Sequence, residues 1–168
     1  MKVTDGKEFA AYMRTVRKRT LDVIGLVPQD RVGWRLTEDS MSVIDIALHI
    51  ASVEKALWGE GLKDFKADAL DEFAKDSMSM SGALDYMRQV RIHSDSFWSG
   101  LSQDDLQKLV TTPTGDTSPL NRWLVLAAEH EIHHRGYVHA YRKIWGLSSS
   151  PIYGLTFEDL QRLLRGIG

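Results

Sequence analysis

Residues 128–139 read Ala-Glu-His-Glu-Ile-His-His-Arg-Gly-Tyr-Val-His and contain four of the six histidines of the 168-residue chain. Apolar residues on both sides of this stretch recur at helical spacing, which predicts one long α-helix. Positions four residues apart lie on the same face of a helix, so the imidazoles of His130 and His134 can point toward one place. Two histidines at this spacing are typical of a metal site.

The long helix is predicted to begin at Ser118-Pro119, with Ser118 as the N-cap, and to end at Gly146. At about 100° per residue, one face holds apolar residues and both metal-ligand candidates. The members of this face are Trp123, Leu126, Ala127, His130, His134, Tyr137, Tyr141 and Ile144. The opposite face holds Arg135, His139 and Arg142. We expect the first face to point into the core, and His133, beside it, to form part of a pocket wall.

Three amphipathic helices precede the long one. The first ends before Pro28, and the second follows a capping box at Ser42–Asp45 and ends at Gly61. Ser81 is predicted to cap the third. The polar stretch 61–82 is predicted to be a long connection, as in bundles whose second and third helices are not simple antiparallel neighbours.

Two short elements complete the prediction. A hairpin is expected within residues 111–118, where β-branched and turn-forming residues alternate. A last short helix follows a second capping box at Thr156–Asp159. The fold class is therefore all-α: a four-helix bundle with a long connection between helices 2 and 3 and a short C-terminal helix, forming a single domain over residues 1–168.

Composition limits the possible functions. The formal net charge of −2 gives no field that would attract nucleic acid. No leader-like or membrane-spanning run is visible, so we expect a soluble, cytoplasmic protein without a membrane partner. Because the chain has no cysteine, any metal must be held by histidine or carboxylate ligands.

His49, in the middle of the second helix, is the best candidate for a third ligand. Considered alone, it is better explained as a histidine hydrogen-bonded at a half-buried position. Together with His130 and His134 it would complete a three-nitrogen set that leaves one coordination position open, as in catalytic zinc sites. Zn²⁺ or Ni²⁺ suits these ligands best, while Fe²⁺ and Mn²⁺ remain open.

Residues 130–134 also match the H-E-x-x-H pattern, in which the glutamate, here Glu131, is the general base of a metalloprotease. The longer form of that motif requires Gly and His where this chain has Tyr137 and Ala140. No sheet that would bind an extended peptide is predicted, so a protease is disfavoured. Gly136 costs the helix about 1 kcal/mol relative to alanine, and close packing of another helix would explain it.

These residues resemble the DinB/YfiT-like family of small metal-binding helical proteins. The resemblance lies in residues 42–51 around His49, in the run His-His-Arg-Gly at 133–136, in the loop containing Trp34, and in the order of elements along nearly the whole chain. It implies a four-helix bundle whose metal ligands are His49, His130 and His134. Family members often have Gln at the position of Tyr137.

The resemblance implies a metal-dependent enzyme that transfers a low-molecular-weight thiol to an electrophilic small molecule. The alternatives are a metal-dependent hydrolase that uses a metal-bound water and a non-catalytic, stress-associated metal-binding protein. Glu131 and Tyr137 are the candidate proton-handling residues. The resemblance also allows a homodimer, which is common in the family.

Overall fold

The computed structural model describes residues 2–58, 79–111, 115–148 and 151–166. The long helices are α1 (Gly6–Gly25), α2 (Val43–Val53), α3 (Met80–Ser99) and α5 (Leu120–Ile144). The short helices are α4 (Gln103–Gln107) and α6 (Phe157–Leu164). A 3₁₀ turn covers Gln29–Arg31, a π-helical turn at Glu54–Trp58 follows α2, and strands β1 (Leu109–Thr111) and β2 (Thr117–Pro119) form an antiparallel hairpin.

The four long helices form the predicted bundle. Helix α1 packs against α3 and α5, and α2 packs against the same two helices. The chain therefore places α2 beside α5, although about 65 residues separate them in sequence. This contact brings the middle of α2 to the histidine-rich part of α5. Among the described helices, none is long and apolar enough to cross a membrane.

The helix ends follow from local sequence. The Ser42 hydroxyl accepts a hydrogen bond from the Asp45 amide, and the Asp45 carboxylate accepts one from the Ser42 amide, which is the predicted capping box. The Thr156–Asp159 box is also confirmed. Gly146 ends α5 with a φ of +73°, a conformation that glycine adopts without a steric penalty.

Two predicted helix starts are wrong. Ser79, not Ser81, caps α3, because its hydroxyl accepts a hydrogen bond from the amide of Gly82. Helix α5 begins at Leu120 without a side-chain cap, since Ser118 pairs with Val110 in the hairpin. The predicted end of the second helix at Gly61 and most of the 61–82 connection lie outside the described residues.

The predicted core face of α5 is partly wrong: Trp123, Ala127 and Tyr141 are buried as predicted, but three other members of that face are not. Leu126, Tyr137 and Ile144 are exposed, whereas Arg135 and Arg142 are buried. The buried residues of α5 are Leu120, Trp123, Leu124, Ala127, Ala128, Glu131, Arg135, Val138, Tyr141 and Arg142. The metal-ligand candidates consequently lie at the edge of the core.

A cluster of buried charges explains this rotation. We call Arg17, Glu54, Arg91 and Glu131 the buried charge cluster; it joins α1, the π-helical turn, α3 and α5. Charged side chains are almost never fully buried unless they are paired, and here each arginine contacts both carboxylates. Trp34 packs edge-on against Tyr141 and Trp145, as expected for a loop residue held on the core.

Candidate metal centre

Three predicted ligands meet between α2 and α5. The Nε2 atoms of His49 and His130 are 3.1 Å apart. His134 lies beside both, with its ring centroid 4.6 Å from that of His49 and 4.5 Å from that of His130. One ring nitrogen from each of the three residues can be chosen so that all lie within 4.8 Å of one another. We call these residues the histidine triad.

Burial and mutual proximity keep the triad neutral at physiological pH. Burial, followed by the neighbouring imidazoles of His134 and His49, lowers the pKa of His130 to about 3. Burial and the same kind of neighbour lower the pKa of His134 to about 4. Burial also lowers the pKa of His49. Neutral imidazoles present lone pairs, which is the protonation state that a metal ligand requires.

The residues present fit a transition-metal ion. The Nδ1 atom of His134 is buried and has no hydrogen-bond partner in the described part of the chain, so the triad is incompletely satisfied by protein groups. Within the described ranges, this is the one cluster of three or more side chains that could hold a metal ion. A set of three imidazole nitrogens suits Zn²⁺ or Ni²⁺ better than Mg²⁺ or Ca²⁺.

A cavity of about 260 Å³ opens next to the triad. Its lining consists of Ser40, Met41, Ile46, His133, His134, Tyr137 and Tyr141. His133, expected to be a pocket residue, does line it, and its ring packs edge-on against that of Tyr137 at 4.9 Å. The Tyr137 side chain is 46% exposed, and its hydroxyl has no hydrogen-bond partner among the described residues.

Glu131 lies elsewhere, although it follows His130 directly in sequence. It is 1% exposed, and both of its carboxylate oxygens accept hydrogen bonds from Arg17 at 2.9 and 3.2 Å. Arg91 donates a further bond of 2.7 Å. Burial alone would raise the pKa of Glu131, but these guanidinium groups outweigh it and hold the pKa below its usual value. A carboxylate engaged in this way is not presented to the triad as the H-E-x-x-H pattern would require.

Two further expectations about this segment are corrected. A Cβ atom added to Gly136 would have no neighbour within 4 Å among the described residues, so close helix packing does not explain this glycine. His139 is half-buried rather than fully solvated, and burial lowers its pKa. Neither residue is part of the triad.

The sequence analysis missed the buried charge cluster, although a signal for it exists. Arg17 continues the apolar series Ala10, Met13, Thr20 and Ile24 at steps of three and four residues. Glu131 likewise continues the series Leu124, Ala127 and Ala128 toward Val138. A charged residue at a core position of one helix requires an oppositely charged residue on another helix. The position of Arg17 therefore predicts a buried acidic residue elsewhere, and the position of Glu131 predicts a buried basic one.

Comparison with known proteins identifies the class to which this bundle belongs. The family model for the DinB superfamily matches residues 12–138, and the chain therefore belongs to the DinB superfamily. A comparison with curated proteins finds none that matches.

Solved structures agree on the fold. A DinB-like protein from Bacillus subtilis is similar over 87% of this chain and 96% of its own, with a TM-score of 0.68 and 20% identity. YfiT from Bacillus subtilis, described as a probable metal-dependent hydrolase with an unusual four-helix bundle topology, is similar over 85% of this chain and 89% of its own, with a TM-score of 0.69 and 13% identity.

A variant of a mycothiol-dependent maleylpyruvate isomerase is also similar. The match covers 78% of this chain and 59% of that one, with a TM-score of 0.64 and 17% identity. At these identities the likeness concerns the fold.

Proposed function

We propose that the protein binds one divalent transition-metal ion, Zn²⁺ or Ni²⁺, through His49, His130 and His134 and transfers a low-molecular-weight thiol to an electrophilic small molecule. The observation that carries the proposal is the convergence of three neutral imidazoles beside an open cavity. When bound, the metal supplies positive charge that lowers the pKa of a thiol or water in its open coordination position. The chain itself has no cysteine, so the thiol must arrive as a substrate.

The state of Glu131 favours thiol transfer over hydrolysis. Hydrolysis at an H-E-x-x-H helix relies on the glutamate to take a proton from the attacking water. Here that carboxylate is hydrogen-bonded to Arg17 and Arg91 inside the bundle. A thiol loses its proton far more readily than water does, since a free thiol has a pKa of about 8.5. Thiol transfer therefore needs no carboxylate base.

The residues of the site have separate roles. The triad defines where the sulfur is held, and His133 and Tyr137 form the adjacent wall. In the transfer step the thiolate sulfur forms a bond to an electrophilic carbon, the bond from that carbon to its leaving group breaks, and the leaving group departs with the electron pair. The Tyr137 hydroxyl, which has no hydrogen-bond partner among the described residues, is the group that can donate a hydrogen bond to the departing atom.

A metal-dependent hydrolase is the second candidate, because YfiT has the same fold and is described as a probable metal-dependent hydrolase. A third outcome is metal binding without catalysis. A homodimer, which the family resemblance allows, is compatible with the proposal, and its subunits would each carry a complete triad.

Metal analysis tests the shared premise. Purified wild type should contain close to one equivalent of metal, and His130→Ala should lose it. His93→Ala is the matched control, because His93 is exposed on α3 and outside the triad. A wild-type protein that takes up no Zn²⁺ or Ni²⁺ from solution, or a His130→Ala variant that retains it, would reject the metal site.

Activity assays then separate the candidates. The metal-loaded protein is incubated with a panel of physiological thiols and an electrophile such as chlorodinitrobenzene, and separately with ester and amide substrates. Thiol-dependent product that disappears in His130→Ala supports the transferase. Ester or amide cleavage without a thiol supports the hydrolase, and neither activity favours the non-catalytic alternative.

A further inference from the structure

The walls and size of the cavity beside the triad indicate which ligand it can accept. His134 belongs to both, since it is a member of the triad and also lines the cavity. Tyr137 follows it on the outer side, with its ring centroid 6.0 Å from that of His134. A molecule in the cavity would therefore lie directly against the place where the triad converges.

The walls present more carbon than polar surface. The Tyr141 hydroxyl donates a hydrogen bond to the Met41 carbonyl at 3.0 Å, so only its ring faces outward from that contact. Trp34 packs edge-on against the same ring with centroids 5.2 Å apart, which fixes its position. The Ser40 hydroxyl is hydrogen-bonded to the backbone of Thr37. The other side is formed by Ile46 of α2, which is buried.

The cavity is also uncharged. No described residue of its lining carries a carboxylate, ammonium or guanidinium group. Arg35 lies close by, since it donates a hydrogen bond to the Ser40 carbonyl at 2.6 Å, but its charge is neutralised by Asp45 at 2.7 Å. A charged ligand group in the cavity would lose hydration without gaining a carboxylate, ammonium or guanidinium partner, whereas an apolar group would be stabilised.

The volume sets the size of the ligand. An apolar cavity of about 150 Å³ accommodates benzene, and pockets for drug-sized ligands begin at about 300 Å³. The cavity here, at about 260 Å³, falls between these values. It matches one ring with a short substituent.

We propose that this cavity binds an uncharged aromatic ring of the electrophilic substrate, with Tyr137 donating a hydrogen bond to a polar atom on the ring's substituent. The identity of the ligand as the electrophile rests on the proposed function. The preference for an uncharged ring rests only on the walls of the cavity, so it holds for the metal-free protein as well.

Ligand-observed fluorine NMR on the metal-free protein tests the preference. The probes are para-fluorotoluene, para-fluoroacetophenone, para-fluorobenzoate and para-fluorobenzylammonium, which share one ring and differ in charge and polarity. Both neutral probes should bind saturably and at least about tenfold more tightly than the two ions, because burial of an unpaired charge is costly. Equal or tighter binding of an ion, or no saturable binding of the neutral probes, would overturn the proposal.

Variants locate the binding site. Met41→Glu puts a carboxylate on the wall and should weaken para-fluorotoluene binding about tenfold or more, whereas Ile92→Glu, at an exposed site on α3, should leave it unchanged. Tyr137→Phe should weaken para-fluoroacetophenone several-fold and leave para-fluorotoluene unaffected, because only the ketone can accept the hydrogen bond. If Met41→Glu and Ile92→Glu behave alike, the ring binds elsewhere and the proposal fails.

The assay also separates this proposal from the proposed function. Ring binding with these specificities but without thiol transfer would retain the cavity assignment and reject the transferase. Thiol transfer to electrophiles without selective binding of the neutral probes would support the transferase and reject the cavity assignment.

Discussion

Helix α5 carries two polar clusters that begin at adjacent residues and have opposite properties. His130 belongs to the histidine triad, which is half-buried, neutral and incompletely hydrogen-bonded. Glu131 belongs to the buried charge cluster, in which both of its oxygens are hydrogen-bonded by arginines. The two side chains leave the helix about 100° apart. The histidine triad can accept a ligand, whereas the charges of the buried charge cluster are already paired with one another.

This difference indicates a division of roles. The buried charge cluster holds four parts of the bundle in one arrangement, but a carboxylate paired in this way cannot exchange its partners for a substrate. In the triad, His49 and His130 are hydrogen-bonded to each other, and Nδ1 of His134 has no partner among the described residues. The expectation that Glu131 handles protons is therefore replaced by a structural role, while Tyr137 stays a candidate.

The largest effect is expected from Glu131→Ala. This substitution removes one carboxylate and leaves Arg17 and Arg91 to share Glu54, so the free energy of unfolding should fall by about 3–5 kcal/mol. Urea denaturation followed by circular dichroism measures the change. Lys18→Ala, which removes an exposed ion pair with Asp22, is the control and should cost about 1 kcal/mol or less. Similar losses in the two variants would contradict a structural role for the cluster.

The second effect concerns the triad and requires metal. At a free Zn²⁺ concentration about 100-fold above the dissociation constant, the wild type should gain about 2.7 kcal/mol in its free energy of unfolding. His130→Ala should lose this gain, and His93→Ala should keep it. The measurement is urea denaturation with and without Zn²⁺. A gain that persists in His130→Ala would place the metal outside the triad.

The third effect is a pH dependence of the metal-free protein. The folded-state pKa values of His130 and His134, about 3 and about 4, lie below the value of about 6.5 expected in the unfolded chain. As the pH falls from about 6.5 to about 5, the unfolded chain takes up protons that the folded chain does not, so the free energy of unfolding should decrease.

Above about pH 7.5 the triad should contribute no slope, because its imidazoles are then neutral in both states. The double variant His130→Ala/His134→Ala should show a shallower dependence between about pH 6.5 and 5 than the wild type. An equal slope in both proteins would mean that the triad is not buried as described. The lowered pKa of Glu131 affects stability only at lower pH, near the usual carboxylate range.

The sequence predicts the triad better than it predicts the charge cluster, for a physical reason. His130 and His134 are related by helical spacing alone, and the position of His49 in the middle of the second helix makes it the candidate third ligand, which the family resemblance also implies. The orientation of α5 depends on charges that come from three other elements. A helical projection based on apolar residues alone therefore placed Tyr137 inside the bundle and Arg135 outside it. Local signals such as the Ser42–Asp45 box were read correctly, because both partners lie within one turn.

The cavity is less predictable still. Its walls come from the loop before α2, from α2 and from α5, and their distances depend on the packing of the whole bundle. Sequence reasoning assigned His133 to a pocket wall from its angle on the helix. It could not supply the volume or the lack of charge, because both depend on residues that are distant in sequence.

The smallest expected effect is that of Gly136→Ala, which tests whether the exposed surface of α5 at this residue takes part in function. Gly136 lies within α5, and a methyl group there would meet no described atom within 4 Å. Removing the conformational cost of glycine should raise the free energy of unfolding by about 0.5–1 kcal/mol. Metal content should not change. If stability rises while thiol transfer falls, the open surface at Gly136 is needed for a substrate or a partner to approach; if stability falls, the helix at this position is not as open as described.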